Sequence, residues 1–164
     1  MDNIKSNEGI QLIVNSIKTF NDINLFSQYL FENINLLKIK QATDDDVIEK
    51  YFYKNYFNLL KHLLEIDNKN SDILNNLGNL YFNGFGAKQD FYEAKKYYNQ
   101  SADLNNSYAI YNLGYLHYCG KGAEKNYELA ENFYKKSAKL NNSYAYIGLA
   151  SIYKKGVCGK IDYN

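Results

Sequence analysis

The stretch that decides the fold is residues 71–142, where SDILNNLGNLYFNGFGAKQDFYEAKKYYNQSADLNN is followed by SYAIYNLGYLHYCGKGAEKNYELAENFYKKSAKLNN. The second segment begins 36 residues after the first, and SYAYIGLASIYKKGVCGKIDYN begins after a further 36, at Ser143. Self-similarity at a fixed period of this length is typical of solenoids built from stacked helix pairs. The pattern predicts an interaction surface, and it does not identify what that surface binds.

Each repeat contains two apolar stripes at the spacing of a helix, separated by a glycine turn. Stripes of the first helices are Leu74, Leu77, Gly78, Tyr81; Ile110, Leu113, Gly114, His117; and Tyr146, Leu149, Ala150, Tyr153. The small residue in the middle of each stripe is expected to let a neighbouring helix approach closely. Turn glycines such as Gly84 and Gly120 are expected to end the first helices, and Asp90, Asn126 and Asp162 are expected to cap the second helices.

These spaced residues resemble the Sel1-like repeat family, a relative of the tetratricopeptide repeats. The matching positions are Leu77-Gly78, Tyr81, Gly84, Gly86, Asp90, Ala94, Tyr98 and Ala102, with Leu113-Gly114, Gly120, Gly122, Ala130, Tyr134 and Ala138 in the second copy. The resemblance covers 71–164 and implies an all-α, right-handed superhelix with the first helices on its concave face. Departures are His117 for tyrosine, Ala150 for glycine and Cys158 for a turn glycine.

The N-terminal 70 residues lack the clean repeat. They are predicted to form an N-terminal helical cap with a degenerate TPR-like repeat, in which a helix over Phe31–Lys40 pairs with a helix over Asp44–Ile66. The Sel1-like part is divided into 71–106, 107–142 and a partial repeat at 143–164. The first helix of the chain is expected to cap the stack, because a terminal unit has a neighbour on one side only.

Composition excludes some functional classes. The formal net charge is +1, and the 19 lysines are accompanied by no arginine. The arginine forks preferred for phosphate and base contacts are therefore missing, which disfavours nucleic-acid binding. The polar start of the chain predicts no signal peptide, and no apolar run is long enough to insert into a membrane. A cytoplasmic location is expected, and a secreted effector acting in a host stays open as an alternative.

The sequence predicts where a protein or peptide partner would bind. First-helix residues offset from the core stripes are expected to face the groove, and an aromatic row with neighbouring amides suits a peptide. The predicted partner-binding residues are Asn75, Asn79, Phe82, Tyr108, Tyr111, Tyr115, Tyr118 and Tyr144. An alternative interpretation is that these tyrosines pack between repeats. We therefore expect a non-catalytic interaction scaffold or adaptor that needs no cofactor.

Two other functions stay open at this point. The third repeat stops near its second cap, so Tyr146, Leu149, Ile152 and Tyr153 could form an apolar docking face. That face would serve a homo-oligomer or the continuation of a longer array. A hydrolase is the third alternative, by analogy with activity proposed for some family members, although no catalytic constellation is apparent.

His117 and the two cysteines are the residues that could suggest a metal site or a disulfide. His117 and Cys119 lie two apart on a helix and point to different faces, which disfavours a metal site. His117 is predicted instead to be a hydrogen-bonded core residue. A Cys119–Cys158 bridge would require the two Cα atoms to come within about 7 Å.

Overall fold

The computed structural model describes residues 45–156, and every regular element within them is a helix. The helices are α1 Asp45–Ile66, α2 Ser71–Asn83, α3 Phe91–Asp103, α4 Ser107–Cys119, α5 Tyr127–Lys139 and α6 Ser143–Lys154. The predicted all-α solenoid is confirmed. The expected helices of 1–44, the cap Asp162, Cys158 and the end of the third repeat lie outside the described residues.

The predicted helix ends are found where the residue types require them. Gly84 and Gly120 end α2 and α4 in the left-handed conformation, with φ of 77° and 70°. The side chain of Asp90 accepts hydrogen bonds from the backbone N–H groups of Tyr92 and Glu93, so it caps α3 as expected. Asn126 caps α5 by accepting from the N–H of Leu129 at 2.9 Å. These caps fix the turn between the two helices of each repeat.

Tyrosines of the second helices pack into the small residues of the first helices. A Cβ atom added to Gly78 would lie 2.5 Å from ring atoms of Tyr98, and one added to Gly114 would lie 2.8 Å from ring atoms of Tyr134. Both tyrosine side chains are almost fully buried. The close approach predicted from the sequence therefore joins α2 to α3 and α4 to α5.

The two helices of each repeat are also joined by a recurring polar contact. The Ser101 hydroxyl donates to the backbone carbonyl of Ser71 at 2.7 Å, and the Ser137 hydroxyl donates to that of Ser107 at 2.6 Å. Both serine side chains are fully buried, so an unpaired hydroxyl there would cost stability. These two bonds tie the end of each second helix to the start of the first helix in the same repeat.

Helix α1 packs on α2 in the way that α3 packs on α4. The Tyr53 ring stacks on Phe85 with centroids 4.3 Å apart, and Lys61 Nζ donates to the Tyr97 hydroxyl at 2.8 Å. Gly86 touches the backbone of Tyr53, just as Gly122 in the next repeat touches the backbone of Phe91. Helix α1 thus lies against α2 as a second helix lies against the next repeat, and its predicted partner helix over Phe31–Lys40 lies outside the described residues.

Helix α6 differs from the prediction in how much of its stripe is buried. Its buried residues are Ala145, Gly148 and Ile152, whereas Tyr146 and Ala150 of the predicted stripe are exposed. The reason is that α6 packs on α4 and α5 with one side only. In α4 the corresponding opposite side is covered by α5, but in α6 no helix within residues 45–156 covers it.

No helix in that range is long and apolar enough to cross a membrane.

Candidate partner-binding groove

The first helices α2 and α4 meet through a network of amides and one tyrosine. Asn112 Nδ2 on α4 donates to Asn75 Oδ1 at 3.0 Å and to Asn79 Oδ1 at 3.1 Å on α2. The Tyr98 hydroxyl on α3 donates to the same Asn79 oxygen at 2.8 Å. Three helices are therefore held together at one amide oxygen, and the network fixes the orientation of the Asn79 side chain.

A pocket of about 220 Å³ opens over this network. It is lined by Asn79, Phe82, Asn83, Tyr98, Tyr111, Asn112 and Tyr115. The Phe82 and Tyr115 rings come from neighbouring repeats and lie 5.8 Å apart, forming one aromatic wall. Pockets that hold whole small molecules are usually about 300–1,000 Å³. The size of this pocket suits a single side chain or a turn of peptide.

The amide network leaves some polar atoms with spare hydrogen-bonding capacity. Within residues 45–156, the Asn79 amide nitrogen and the Asn112 amide oxygen make no hydrogen bond. Asn83 donates through Nδ2 to the Asn79 carbonyl at 2.9 Å, and its own Oδ1 accepts none in the same range. The pocket thus offers a donor and two acceptors beside aromatic carbon, which matches the needs of a peptide group or a carboxamide.

The phenols around the pocket are held in their neutral form. Burial raises the pKa of Tyr98 far above its usual value of 10, and burial also raises the pKa of Tyr111. The pKa of Tyr115 is raised chiefly by its hydrogen bond with the Cys119 thiol. Phenols shifted in this direction stay protonated at neutral pH, so they serve as hydrogen-bond donors and are poorly suited to proton transfer.

The structure brings several predicted partner-binding residues together and separates others from them. Asn79, Phe82, Tyr111 and Tyr115 line the pocket. Tyr108 and Tyr144 form an exposed pair, 52% and 54% accessible, with ring centroids 6.3 Å apart. Tyr118 lies further along α4, beside Tyr127.

The prediction that the Asn75 side chain is accessible to a partner in the groove is wrong. Its side chain is buried, because Asn112 of the next repeat covers it and binds its oxygen. Tyr111 fits both interpretations of the tyrosine row, partner binding and packing between repeats. Its ring lies 5.3 Å from the buried ring of Tyr134, and it also borders the pocket.

Sequence reasoning missed Asn83, Tyr98 and Asn112 as pocket residues. The sequence identifies Tyr98 only as a position of the repeat pattern, whereas in the structure its hydroxyl reaches the pocket. Asn112 follows Tyr108 by four residues and precedes Tyr115 by three, so it shares a helix stripe with both. That spacing was the signal that could have identified Asn112.

The predicted docking face is only partly exposed. Tyr146 and its neighbour Ile147 are each 62% accessible on α6. Leu149 and Tyr153 are half-buried, and the Tyr153 hydroxyl donates to Glu131 at 3.0 Å. Including Ile152 was wrong, because it is fully buried against Ala130 and Tyr134 of α5.

His117 is a core residue, as predicted. It is buried, its Nδ1 lies 3.1 Å from the Glu124 carbonyl oxygen, and its ring stacks on Phe133 with centroids 5.8 Å apart. Residues 45–156 contain no group of three His, Cys, Asp or Glu side chains that could hold a metal ion. Cys119 is half-buried, and Cys158, the other cysteine of the bridge considered from the sequence, lies outside the described range.

Comparison with known proteins places this geometry among repeat proteins. The Sel1 repeat family matches residues 72–106 and 107–142. A Sel1 repeat protein from Oxalobacter formigenes is similar over 66% of this chain and 45% of its own, with 31% identity and a TM-score of 0.58. A protective antigen of uropathogenic Escherichia coli with an SLR fold is 25% identical over 68% of this chain and 23% of its own, with a TM-score of 0.59.

The chain spans less than half the length of these two solved proteins. No curated protein matches the sequence.

Proposed function

We propose that this chain is a non-catalytic scaffold that binds a peptide segment of a protein partner on its first-helix face. Residues 72–142 match two Sel1 repeats, a module that generally mediates protein–protein interactions. The observation that carries this proposal is the pocket between α2 and α4. Its aromatic wall and its open amide donor and acceptors are what an extended or helical peptide needs for one side chain and one backbone group.

The rigidity of the pocket supports this role. Asn79 is fixed by two hydrogen bonds from different helices, and the aromatic wall joins two repeats. A binding surface whose side chains are already fixed loses little conformational entropy when the partner arrives. The pocket therefore needs no rearrangement to accept a peptide.

Catalysis is disfavoured by the chemistry of the pocket residues. They are amides, phenols and one phenylalanine, and the tyrosine pKa values are shifted away from neutral pH. General acid–base catalysis works best with groups whose pKa is close to the working pH. The hydrolase alternative therefore receives no support from these residues.

The test is selection from a displayed library of random 12-residue peptides, with the full chain as bait. A Tyr115→Ala/Asn83→Ala variant removes one ring of the aromatic wall and one acceptor while leaving the amide network of Asn75, Asn79 and Asn112 intact. The matched control is Tyr92→Ala, because Tyr92 lies on α3 and is 77% exposed. We expect enriched peptides to lose at least tenfold in affinity for the pocket variant and less than twofold for the control. Equal affinity for all three proteins would contradict the proposal.

Self-association is a second candidate function, favoured by the exposure of Tyr146 and Ile147 on α6. An exposed aromatic and aliphatic pair on a helix can pack on a second copy or on a further repeat. Sedimentation over a hundredfold concentration range would show a rising mass if this face assembles, and Tyr146→Lys/Ile147→Lys would abolish the rise. A constant monomer mass would reject this candidate.

A further inference from the structure

An aromatic pair covered by lysine recurs at the turn side of both complete repeats. In the first repeat, the Phe82 and Phe91 rings lie 5.2 Å apart, and Lys121 Nζ is 5.3 and 5.1 Å from their centroids. In the second repeat, the equivalent rings belong to Tyr118 and Tyr127 and lie 5.5 Å apart. Lysines over aromatic faces at these distances are attracted by the ring electrons, so each pair holds an ammonium group on the surface.

The second pair carries more positive charge than the first. Lys155 Nζ lies 4.8 Å from the Tyr118 centroid and 5.6 Å from the Tyr127 centroid, and Lys125 Nζ lies 5.1 Å from the Tyr127 centroid. Tyr118, Lys125, Tyr127 and Lys155 are called the lysine–tyrosine cluster below. Both lysine side chains are exposed. Two ammonium groups and two phenol hydroxyls therefore meet at one accessible place.

The cluster has no carboxylate partner among the residues that the structure describes. Within the described range, neither Lys125 nor Lys155 forms an ion pair, whereas Lys96 and Lys135 pair with glutamates on their own helices. The Lys125 ammonium beside Tyr127 lowers the pKa of that phenol, and the neighbouring Tyr118 hydroxyl raises the pKa of Lys155. The helix caps add to the contrast, since a carboxylate, Asp90, caps α3 beside the first pair, and the neutral Asn126 caps α5 beside the second.

The cluster lies next to the proposed peptide pocket. Tyr115 lines the pocket, and Tyr118 follows it by three residues on α4. Three residues of helix span about 4.5 Å, while an extended peptide advances about 3.3 Å per residue. A peptide with one side chain in the pocket can therefore present to the cluster a residue about one or two positions away if the peptide is extended, or about three positions away if it is helical.

We propose that the lysine–tyrosine cluster binds an acidic side chain of the peptide segment that occupies the pocket. This inference rests on the proposed function, and it specifies the partner as a segment with an aspartate or glutamate within about three residues of the side chain in the pocket. A carboxylate accepts hydrogen bonds from ammonium and phenol groups alike, and it neutralises the two adjacent positive charges. The first aromatic pair, with one lysine and no hydroxyl, lacks this set of donors.

The test uses the peptides enriched from the random 12-residue library. A Lys125→Gln/Lys155→Gln variant removes both charges, and Lys136→Gln/Lys139→Gln on the exposed last turn of α5 makes the same change in net charge elsewhere. We expect enriched peptides to contain Asp or Glu at the stated spacing and to bind the cluster variant about tenfold more weakly. The control variant should change affinity less than twofold, with the helical circular dichroism of both variants unchanged.

Changing the acidic residue of the peptide to its amide completes a double-mutant cycle. In the wild-type protein this change should also weaken binding about tenfold, and in the cluster variant it should have little further effect. Peptides that depend on the pocket but lack an acidic residue, or that bind the cluster variant as tightly as the wild type, would overturn the inference and leave the proposed function standing. Peptides that ignore the Tyr115→Ala/Asn83→Ala change would overturn the proposed function itself.

Discussion

The two junctions between first helices share a framework but differ on the surface they present. Between α2 and α4, the contact is polar and is made by Asn75, Asn79 and Asn112. Between α4 and α6, the residue equivalent to Asn112 is Gly148, and an added Cβ there would lie 2.7 Å from the Tyr134 ring. The Tyr111 ring fills the adjacent space between Tyr134 and Tyr144.

The difference shows which positions of the repeat are free to vary. The buried serine bonds and the asparagine caps are the same in both repeats. The groove-facing positions change from amides to tyrosines and glycine. A pocket opens at the amide junction, whereas ring packing takes its place at the tyrosine junction. The recurring residues therefore build the solenoid, and the varying residues decide where a partner can bind.

The largest expected effect comes from comparing the turn at Gly122, which packs against α3, with the turn at Gly156, which packs against no described residue. Gly122→Ala should destabilise the protein by about 3 kcal/mol, because a Cβ at φ of +62° would lie 2.5 Å from the Phe91 carbonyl oxygen. Gly156→Ala, with φ of +63° and no atom of residues 45–156 within 4 Å of the added Cβ, should cost only about 1 kcal/mol. Urea unfolding at constant m-value measures both. Equal losses would show that α3 does not constrain the turn.

The amide junction can be broken at Asn112. Asn112→Ala should cost about 2 kcal/mol, because the buried Asn75 oxygen then loses its donor and Asn79 loses one of two. The matched control is Asn76→Ala, at the same position one repeat earlier, which should change stability by less than about 0.5 kcal/mol. Thermal unfolding of the two variants provides the comparison. A similar result for both would mean that the network contributes no stability.

Alkaline pH should affect the two junctions alike. Burial raises the pKa of both Tyr98 and Tyr134 above the unfolded value near 10, so the folded state keeps protons that the unfolded state releases. Stability should be constant below pH 10 and then fall as pH rises, by about 1.4 kcal/mol per unit for each phenol. Denaturant titrations between pH 8 and 11 measure this slope. Replacing either tyrosine by phenylalanine should make the fall of stability with pH shallower. An unchanged slope would contradict the conclusion that burial raises the pKa of these two tyrosines.

At neutral pH the same two phenylalanine substitutions should differ. Tyr98→Phe removes the 2.8 Å bond to Asn79 and should cost about 1 kcal/mol. Tyr134→Phe leaves its ring packing against Gly114 and Gly148 intact and should cost less than about 0.5 kcal/mol. Differential scanning calorimetry can resolve this difference. A larger loss of stability for Tyr134→Phe than for Tyr98→Phe would contradict the conclusion that the α2–α4 junction is polar and the α4–α6 junction apolar.

The fold could be predicted from the sequence because its determinants repeat in register. Gly78 and Gly114, with Tyr98 and Tyr134, recur at the same 36-residue offset as the caps. The candidate site was less accessible to prediction, because it is formed where one repeat differs from the next. Helical spacing placed Asn75 and Asn79 on one face. It could not show that Asn112 from the following repeat buries Asn75 and leaves Asn79 accessible in the pocket.

The lysine–tyrosine cluster could not be predicted for a related reason. Its members come from the end of α4, the following turn, the start of α5 and the C-cap of α6. Their convergence depends on how consecutive repeats stack, and periodicity within one helix carries no information about it.

The most direct test of the central claim is to observe the asparagine side-chain amides by ¹⁵N NMR while a selected peptide is added. If a peptide binds in the pocket, the NH₂ signals of Asn79, Asn83 and Asn112 should shift in proportion to occupancy. The signal of Asn99, exposed on α3, should stay in place. Shifts confined to α6 residues, with the three pocket amides unchanged, would contradict the claim that the partner binds at the amide junction.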